Sequence, residues 1–584
     1  NVLKDIQVEF SIDRQNIKTP LDYTREELEF VVIDDEGNKD ALLINILEDQ
    51  IDAIGALEVK GLETKSGIIF TTKKSGKDGC FQLSQRLSKY FDEDVRFFSG
   101  TVPTKFNLSA VGTYPDYASY KKEVQDDFKQ NKFSLLAATK AFGMGINKGN
   151  IYFTIHYGLP SSIEALYQEA GRAGRDKSKF LKQPAKCFLA LTKTAKNDAL
   201  SDLWEPNTPL SKIKKFEKTK KYQGDIATQV WFFSQSNDLI RVEYDLVRKI
   251  YEKYASSKKQ NVELKSKDIN SNKTKTEYAL YRLKQLGVVS DWTINNFITG
   301  VFHVDFLEFS EIKIENNLEL FIQNYDKEFS FENLKNEAKY ANYQSFFERG
   351  KGDNIKIYIV LLLQWSYDNQ AYSQRQSLKN VYENSCSFAD GEITSLEFKN
   401  RLENYFKNDE LTGSFQNIED NPKDFKSWFK VFYKAQKNQK PNIFINKEEQ
   451  AAERDSLSRF LESYMHNTGL DTISGLLRLL LDDYDNSDGR SRLESSLEQI
   501  KNFSSKDQEF IINEILNIGL QCDSHNKSLL SESLYKHYDS SKDFLWLLSE
   551  KLKDSFSIGV IVTNINQKLI SINEENYGRL KKTG

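Results

Sequence analysis

Two glycine-punctuated segments, residues 135–148 (LLAATKAFGMGINK) and 166–176 (LYQEAGRAGRD), constrain this chain more than any other feature. The first sets an apolar run, 135–138, before Thr139 and a loop holding Gly143 and Gly145. Glycines there let backbone amides come close to a phosphate or a ribose. The second ends a helix on Gly171 and then presents Arg172 and Arg175. Guanidinium groups are always charged, so two of them three residues apart beside a crevice suit a polyphosphate. Strand, glycine loop and helix in this order predict an α/β lobe.

Residues 30–38 (FVVIDDEGN) read as an apolar strand running into an acidic β-hairpin turn. Ser161 and Glu164 have the spacing of a capping box for the helix that carries Gln168. Charge is uneven along the chain: about zero over 1–200, roughly +5 over 201–306 and roughly −9 beyond, within a net −4. The basic middle holds a lysine run (Lys212, Lys214, Lys215, Lys218, Lys220, Lys221) and then Lys273, Lys275, Arg282 and Lys284. Helical spacing over 226–254 and 274–286 is halted at Gly287. Strands at 288–294 and 301–306 flank a turn at Asn295 and Asn296, and helices followed by a hairpin have the layout of a winged helix. From about 310 the chain turns acidic and poor in glycine, with ten further stretches of helical spacing up to 553; residues 556–575 read equally as a hairpin or a helix. No sequence period secures a repeat.

Residues 141–148 (AFGMGINK) and 168–176 (QEAGRAGRD) together resemble motifs V and VI of the RecQ-type DNA helicases of superfamily 2. Residues 10–17 (FSIDRQNI) resemble the opening of the second motor lobe of that family, and 66–72 (SGIIFTT) its motif IV strand. The resemblance covers about 8–192 and weakens beyond. It implies an α/β RecA-like lobe (parallel sheet with flanking helices), then a winged-helix-like domain and a mostly α-helical C-terminal region. The corresponding boundaries are 1–200, 201–310, 311–450 and 451–584. It further implies ATP as cofactor, with Mg2+ held mainly by a first lobe, and DNA as partner, both single strand and junction. Arg172 and Arg175 are the implied γ-phosphate contacts, one of them an arginine finger. Gly143, Gly145, Asn147 and Gln168 line the nucleotide crevice, Asn147 toward the ribose. Thr139 bonds a phosphate of the bound strand. From the basic middle segment and the hairpin tip, Lys273, Lys275, Arg282 and Phe297 are the expected DNA contacts, with Phe297 equally readable as wing core. The implied activity is ATP-driven 3′–5′ unwinding.

The first lobe's phosphate loop, GxxxxGK[ST], is not in these 584 residues. Lys74-Ser75-Gly76-Lys77 lacks the earlier glycine and the following Ser or Thr. With Asn1 at the start, the expectation is a C-terminal portion of a longer protein, inactive by itself. A relic lobe kept as a non-catalytic scaffold and an RNA helicase are the alternatives. Four cysteines, Cys80, Cys187, Cys386 and Cys522, lie far apart, which predicts free thiols, no zinc module and a cytoplasmic setting. No apolar run is long enough for a membrane span, and the acidic helical end suits a protein partner.

Overall fold

In the computed structural model, residues 24–143, 147–180, 182–255, 259–296, 300–337, 340–349, 354–406, 410–434, 443–464, 467–481 and 487–538 are described, with Phe10, Ile12 and Asn16. Six strands form one sheet: β1 (Leu28–Asp34), β2 (Ser66–Thr71), β3 (Val95–Phe98), β4 (Leu135–Ala138), β5 (Ile151–Tyr157) and β6 (Ala185–Leu191). Their order is β1-β6-β5-β2-β4-β3, every pairing parallel. β2 and β4 are buried at every position. That is expected of inner strands with helices on both faces.

The helices α1 (Lys39–Ile54), α2 (Cys80–Phe91), α3 (Tyr117–Lys129) and α4 (Ile163–Ala170) return the chain between strands. Leu43, Ile46 and Leu47 of α1 and Leu83 and Leu87 of α2 share a core with Ile69, Phe153 and Ile155. Because strand side chains alternate, His156 turns to the other face. There its ring stacks on Phe70 at 5.5 Å and its Nε2 lies 3.2 Å from Glu169 of α4.

The hairpin expected at 30–38 is not formed. β1 pairs in parallel with β6, from Leu28 with Ala185 to Asp34 with Leu191. The turn at Glu36 (φ 49°) and Gly37 (φ 86°) leads instead into α1, where the Asn38 side chain accepts from the Ala41 amide. An acidic Gly-Asn turn serves a hairpin or a helix start equally, and only the distant partner strand decides between them. The expected cap of α4 is also displaced. Ser162, not Ser161, is the N-cap, its Oγ accepting from Ala165 N at 3.2 Å.

Beyond β6 come α5 (Asp198–Trp204), α6 (Leu210–Lys218), α7 (Gly224–Ser236), α8 (Ile240–Tyr254), β7 (Lys259–Lys265), α9 (Lys273–Gln285), β8 (Val289–Asn296) and β9 (Val301–Phe306). The last three strands form an antiparallel sheet in the order β7-β9-β8. β7 escapes the sequence reading because it is a polar, mostly exposed edge strand carrying lysines at both ends. Asn295 and Asn296 continue β8 rather than forming a turn, and Phe297 lies outside the described residues. Gly287, at φ 70°, stops α9 as its position predicts.

Two buried networks hold this half together. Asp225 of α7 accepts from the amides of Leu159 and Thr192, at 3.1 and 2.9 Å, and from Lys39 Nζ at 2.5 Å. Helix α7 is thereby tied to the carboxyl ends of β5 and β6. Arg375, on α11 (Tyr372–Ala389) beyond α10 (Asn354–Ser366), donates to the carbonyls of Leu203, Glu205 and Pro206. Residues 22–314 and 353–403 accordingly form one compact unit.

Residues 1–21, 315–352 and 404–584 form the second unit. Its described residues are mostly helical, with a short antiparallel pair, Tyr433–Lys434 with Ile443–Phe444. Its core centres on the helix Thr468–Leu480, whose Leu470, Ile473, Leu476, Leu477 and Leu480 are fully buried among Trp428, Leu493, Leu497 and Ile515. All four cysteines carry free thiols.

Candidate functional site

Parallel strands force each connecting helix to run back from the carboxyl edge of the sheet to its amino edge. Helix α4 therefore delivers its C-terminus, with Arg172 and Arg175, to the amino ends of the strands. The chain there is stitched down tightly. Gly171 N donates to Tyr167 O at 2.8 Å, Arg172 N to Glu169 O at 3.1 Å and Ala173 N to Ala170 O at 3.0 Å. Gly174 N then reaches Ile151 O, the first residue of β5, at 3.2 Å. Gly174 has φ 68°, and a Cβ added to it would stand 2.9 Å from Glu27 Cγ, so both conformation and space call for glycine.

Both arginines are half-buried. Arg172 Nε is enclosed and has no hydrogen-bond partner among the described residues, while Arg175 Nε donates to Gly171 O at 3.4 Å. Burial holds both guanidinium pKa values below the ordinary arginine value, and for Arg175 the neighbouring charges of Arg172 and Arg25 add to the effect. Both remain cations, since arginine starts far above neutrality. A desolvated guanidinium with an unfilled donor fits an anion, and two beside a third fit a polyphosphate.

The glycine loop connects this edge to the opposite one. Thr139 follows β4 at the carboxyl edge, half-buried. Its amide donates to Phe98 O and its carbonyl accepts from Phe142 N, both at 3.0 Å, closing the turn Lys140–Gly143. Gly145 lies outside the described residues. The segment re-emerges at the amino edge with Asn147 exposed and Gly149 packed on Asp176, whose Cβ would be 2.9 Å from a Cβ at Gly149. At about 3.3 Å per residue, the two ends of β5 are roughly 20 Å apart. Asn147 thus shares an edge with the arginines and Thr139 does not, the two being joined by one continuous segment. Gln168 is exposed on α4.

Beside Asn147, Lys148 is buried, donating to Asn131 Oδ1 with its ammonium 4.9 Å from the centre of the Phe128 ring. Burial, with Lys179 nearby, pushes it down to about 8.

Some groups at these edges have no signature in the sequence. At the carboxyl edge, Lys74 donates to Thr101 Oγ1 at 2.6 Å and Lys121 to Gly100 O at 3.2 Å. Next to them a cleft of about 660 Å³ is lined by Ser75, Lys77, Gln82, Thr104 and Lys105. At the amino edge stand Arg25 and Glu27, joined by a 2.5 Å ion pair. Arg25 belongs to no motif and meets the arginine loop through two contacts, 146 and 148 residues long in sequence.

Among the residues expected to contact DNA, Lys273 opens α9, half-buried. Lys275 is paired with Asp238 at 2.7 Å. Arg282 braces α9 against α8 and α10, with Nε 2.9 Å from Glu243 and Nη1 3.1 Å from Ser366 Oγ. Its side chain is only 17% exposed, which makes it a packing residue in this state.

A profile of the helicase conserved C-terminal domain matches residues 113–177. The ATP-dependent DNA helicase RecQ of Haemophilus influenzae is 55% identical over 56 residues, covering 10% of this chain and 9% of that protein. RecQ of Bacillus subtilis is 30% identical over 154 residues, 26% of this chain and 21% of that one. These residues are similar to the C-terminal region of RecQ-type helicases. The chain spans between 9% and 21% of the length of these two relatives. Among solved structures, the Mss116p DEAD-box helicase domain 2 bound to an RNA duplex is 16% identical over 39% of this chain and 76% of its own, with a TM-score of 0.21, too low to carry weight.

Proposed function

We propose that this chain is the C-terminal portion of a RecQ-like, ATP-dependent 3′–5′ DNA helicase, supplying the arginine finger and part of the grip on DNA. The observation that carries the reading is the enclosed, unpartnered Arg172 Nε beside Arg175, at the edge where Asn147 also emerges. Arg172 and Arg175 would hold the terminal phosphates, with Asn147 and Gln168 on the rest of the nucleotide. Bound ATP, with Mg2+ carried by a first lobe, supplies the anhydride whose cleavage drives the cycle. At the far edge, Thr139 and the lysines around the 660 Å³ cleft would hold the strand's phosphates. The segment 139–150 joins the two, so a shift of the arginine loop against its partner lobe is passed along β4 and β5 to the strand. Helices α8 and α9 with the sheet β7-β9-β8 support a winged-helix role against duplex, with Lys273 as its contact. The helical second unit is left to a protein partner.

The test is single-strand-stimulated ATP hydrolysis by the full-length polypeptide, comparing wild type with Arg175→Ala. A finger is worth on the order of 10³-fold in turnover, and that loss is the expected result. A full-length protein that never hydrolyses ATP would leave the lobe a scaffold, and stronger stimulation by RNA than by DNA would reassign the substrate.

A further inference from the structure

Arg25 lies three residues before the start of β1, and its guanidinium is spread over the arginine loop. Nη1 donates to Gly171 O at 3.4 Å and Nη2 to Ala173 O at 3.0 Å, the carbonyls on either side of Arg172. The third donor, Nε, is on Glu27 Oε1 at 2.5 Å. Arg25 is itself anchored, its amide donating to Glu403 Oε1 at 3.1 Å. Glu27 is 7% exposed, its carbonyl accepts from Ala185 N at 2.8 Å, and Gly174 packs on its Cγ. Burial opposes its ionisation, but hydrogen bonds from the backbone and Arg25 outweigh that and bring its carboxyl below the usual value.

We propose that Arg25, held by Glu27, is a positioning residue that sets the direction of the Arg172 side chain toward the nucleotide. The physical reason is local. Carbonyls at a helix C-terminus lack intrahelical donors, and a peptide unit without one can swing. Arg25 holds the unit before Arg172 through Gly171 O and the unit after Ala173 through Ala173 O, while Ala173 N on Ala170 O at 3.0 Å holds the unit between them, so the bond from the Arg172 Cα to its Cβ is fixed from both sides. A planar fork presents its donors at a fixed spacing, whereas an ammonium is a point charge on a flexible stem and orders two carbonyls less firmly. Its positive charge also suits the negative end of the helix dipole. A third cation beside Arg172 and Arg175, offset by Glu27, leaves the edge with a surplus positive charge for a polyphosphate.

The inference rests on the arginine-finger reading, and the experiment separates the two. In the full-length protein, Arg25→Ala, Arg25→Lys and Arg172→Ala are compared by deuterium uptake at the amides of 172–174, without nucleotide, and by strand-stimulated ATP turnover. Arg25→Ala is expected to speed exchange at those amides and lower kcat about tenfold, the scale of one lost hydrogen-bonding interaction, with KM for ATP within about twofold. Arg25→Lys, which keeps the charge but not the rigid fork, should recover both readouts in part, and it remains informative if the alanine variant does not fold. Unchanged exchange in both Arg25 variants overturns the proposal while leaving the finger reading intact. So does a raised KM at constant kcat, which would make Arg25 a direct nucleotide ligand. Normal turnover by Arg172→Ala overturns the finger reading, and the proposal with it, whatever the exchange shows.

Discussion

Gly174 and Lys148 show how single positions shape the edge that carries the arginines. At φ 68°, with Glu27 and Leu28 occupying the space a Cβ would need, Gly174 has neither the conformation nor the room for a side chain. Gly174→Ala should cost about 1–2 kcal/mol from the left-handed backbone alone, read as a lower melting temperature, with turnover falling further because the loop must shift. Lys148 carries a pH dependence. Its ammonium titrates near 10.5 when exposed and near 8 in the fold, so between those values the unfolded chain holds more protons and stability rises with pH. The burial penalty is fully present below pH 8 and relieved by about 10.5. Lys148→Met should therefore gain stability over wild type at pH 7, an advantage that shrinks toward pH 10. Asn131 Oδ1 tolerates the change because Asn150 still donates to it at 2.9 Å. Equal pH slopes for the two proteins would contradict this.

Between elements, Asp225 is the joint. It is buried where α7 meets the carboxyl ends of β5 and β6, and Gln229, one turn along, donates to Leu159 O. Asp225→Ala would strip two backbone amides and Lys39 of their acceptor. Removing one partner of a buried ion pair costs on the order of 3 kcal/mol or more, so a melting point lowered by several degrees is expected. A variant that melts as wild type would show α7 to be held by apolar packing alone. The sequence reads α7 as a helix from its periodicity but gives no sign of this joint, because an aspartate in a first turn looks the same capped by water or buried.

For the molecule as a whole, two compact units predict two unfolding transitions in calorimetry. A marker for the second lies in Glu494. Burial raises its carboxyl, but Arg490 and Lys536 outweigh that and hold it at about 2, below its usual 4.5. Its contribution is thus present above pH 4.5 and lost as pH falls through 2. Glu494→Gln should lower one transition at pH 7, leave the other unmoved, and converge on wild type in strong acid. A single transition that shifts in one piece would show the units to be coupled.

The sequence alone determined what depends on near neighbours. Runs such as 135–138 became strands, 354–366 and 507–520 fell within or close to observed helices, Gly287 ended α9, and the spacing of the two glycine segments located the candidate site. Only the tertiary structure decided what depends on partners far along the chain. It made 30–38 a strand and helix start rather than a hairpin, because β6 lies alongside. It recruited the polar β7 to a sheet, and it placed Arg282, which the sequence offers as a DNA contact, beside Glu243. It placed Arg25 on the loop of Arg172 and set Thr139 at the opposite edge. The physical reason is the same in each case: periodicity and turn chemistry act over a few residues, whereas an ion pair or a parallel strand is chosen by whatever the fold brings beside it.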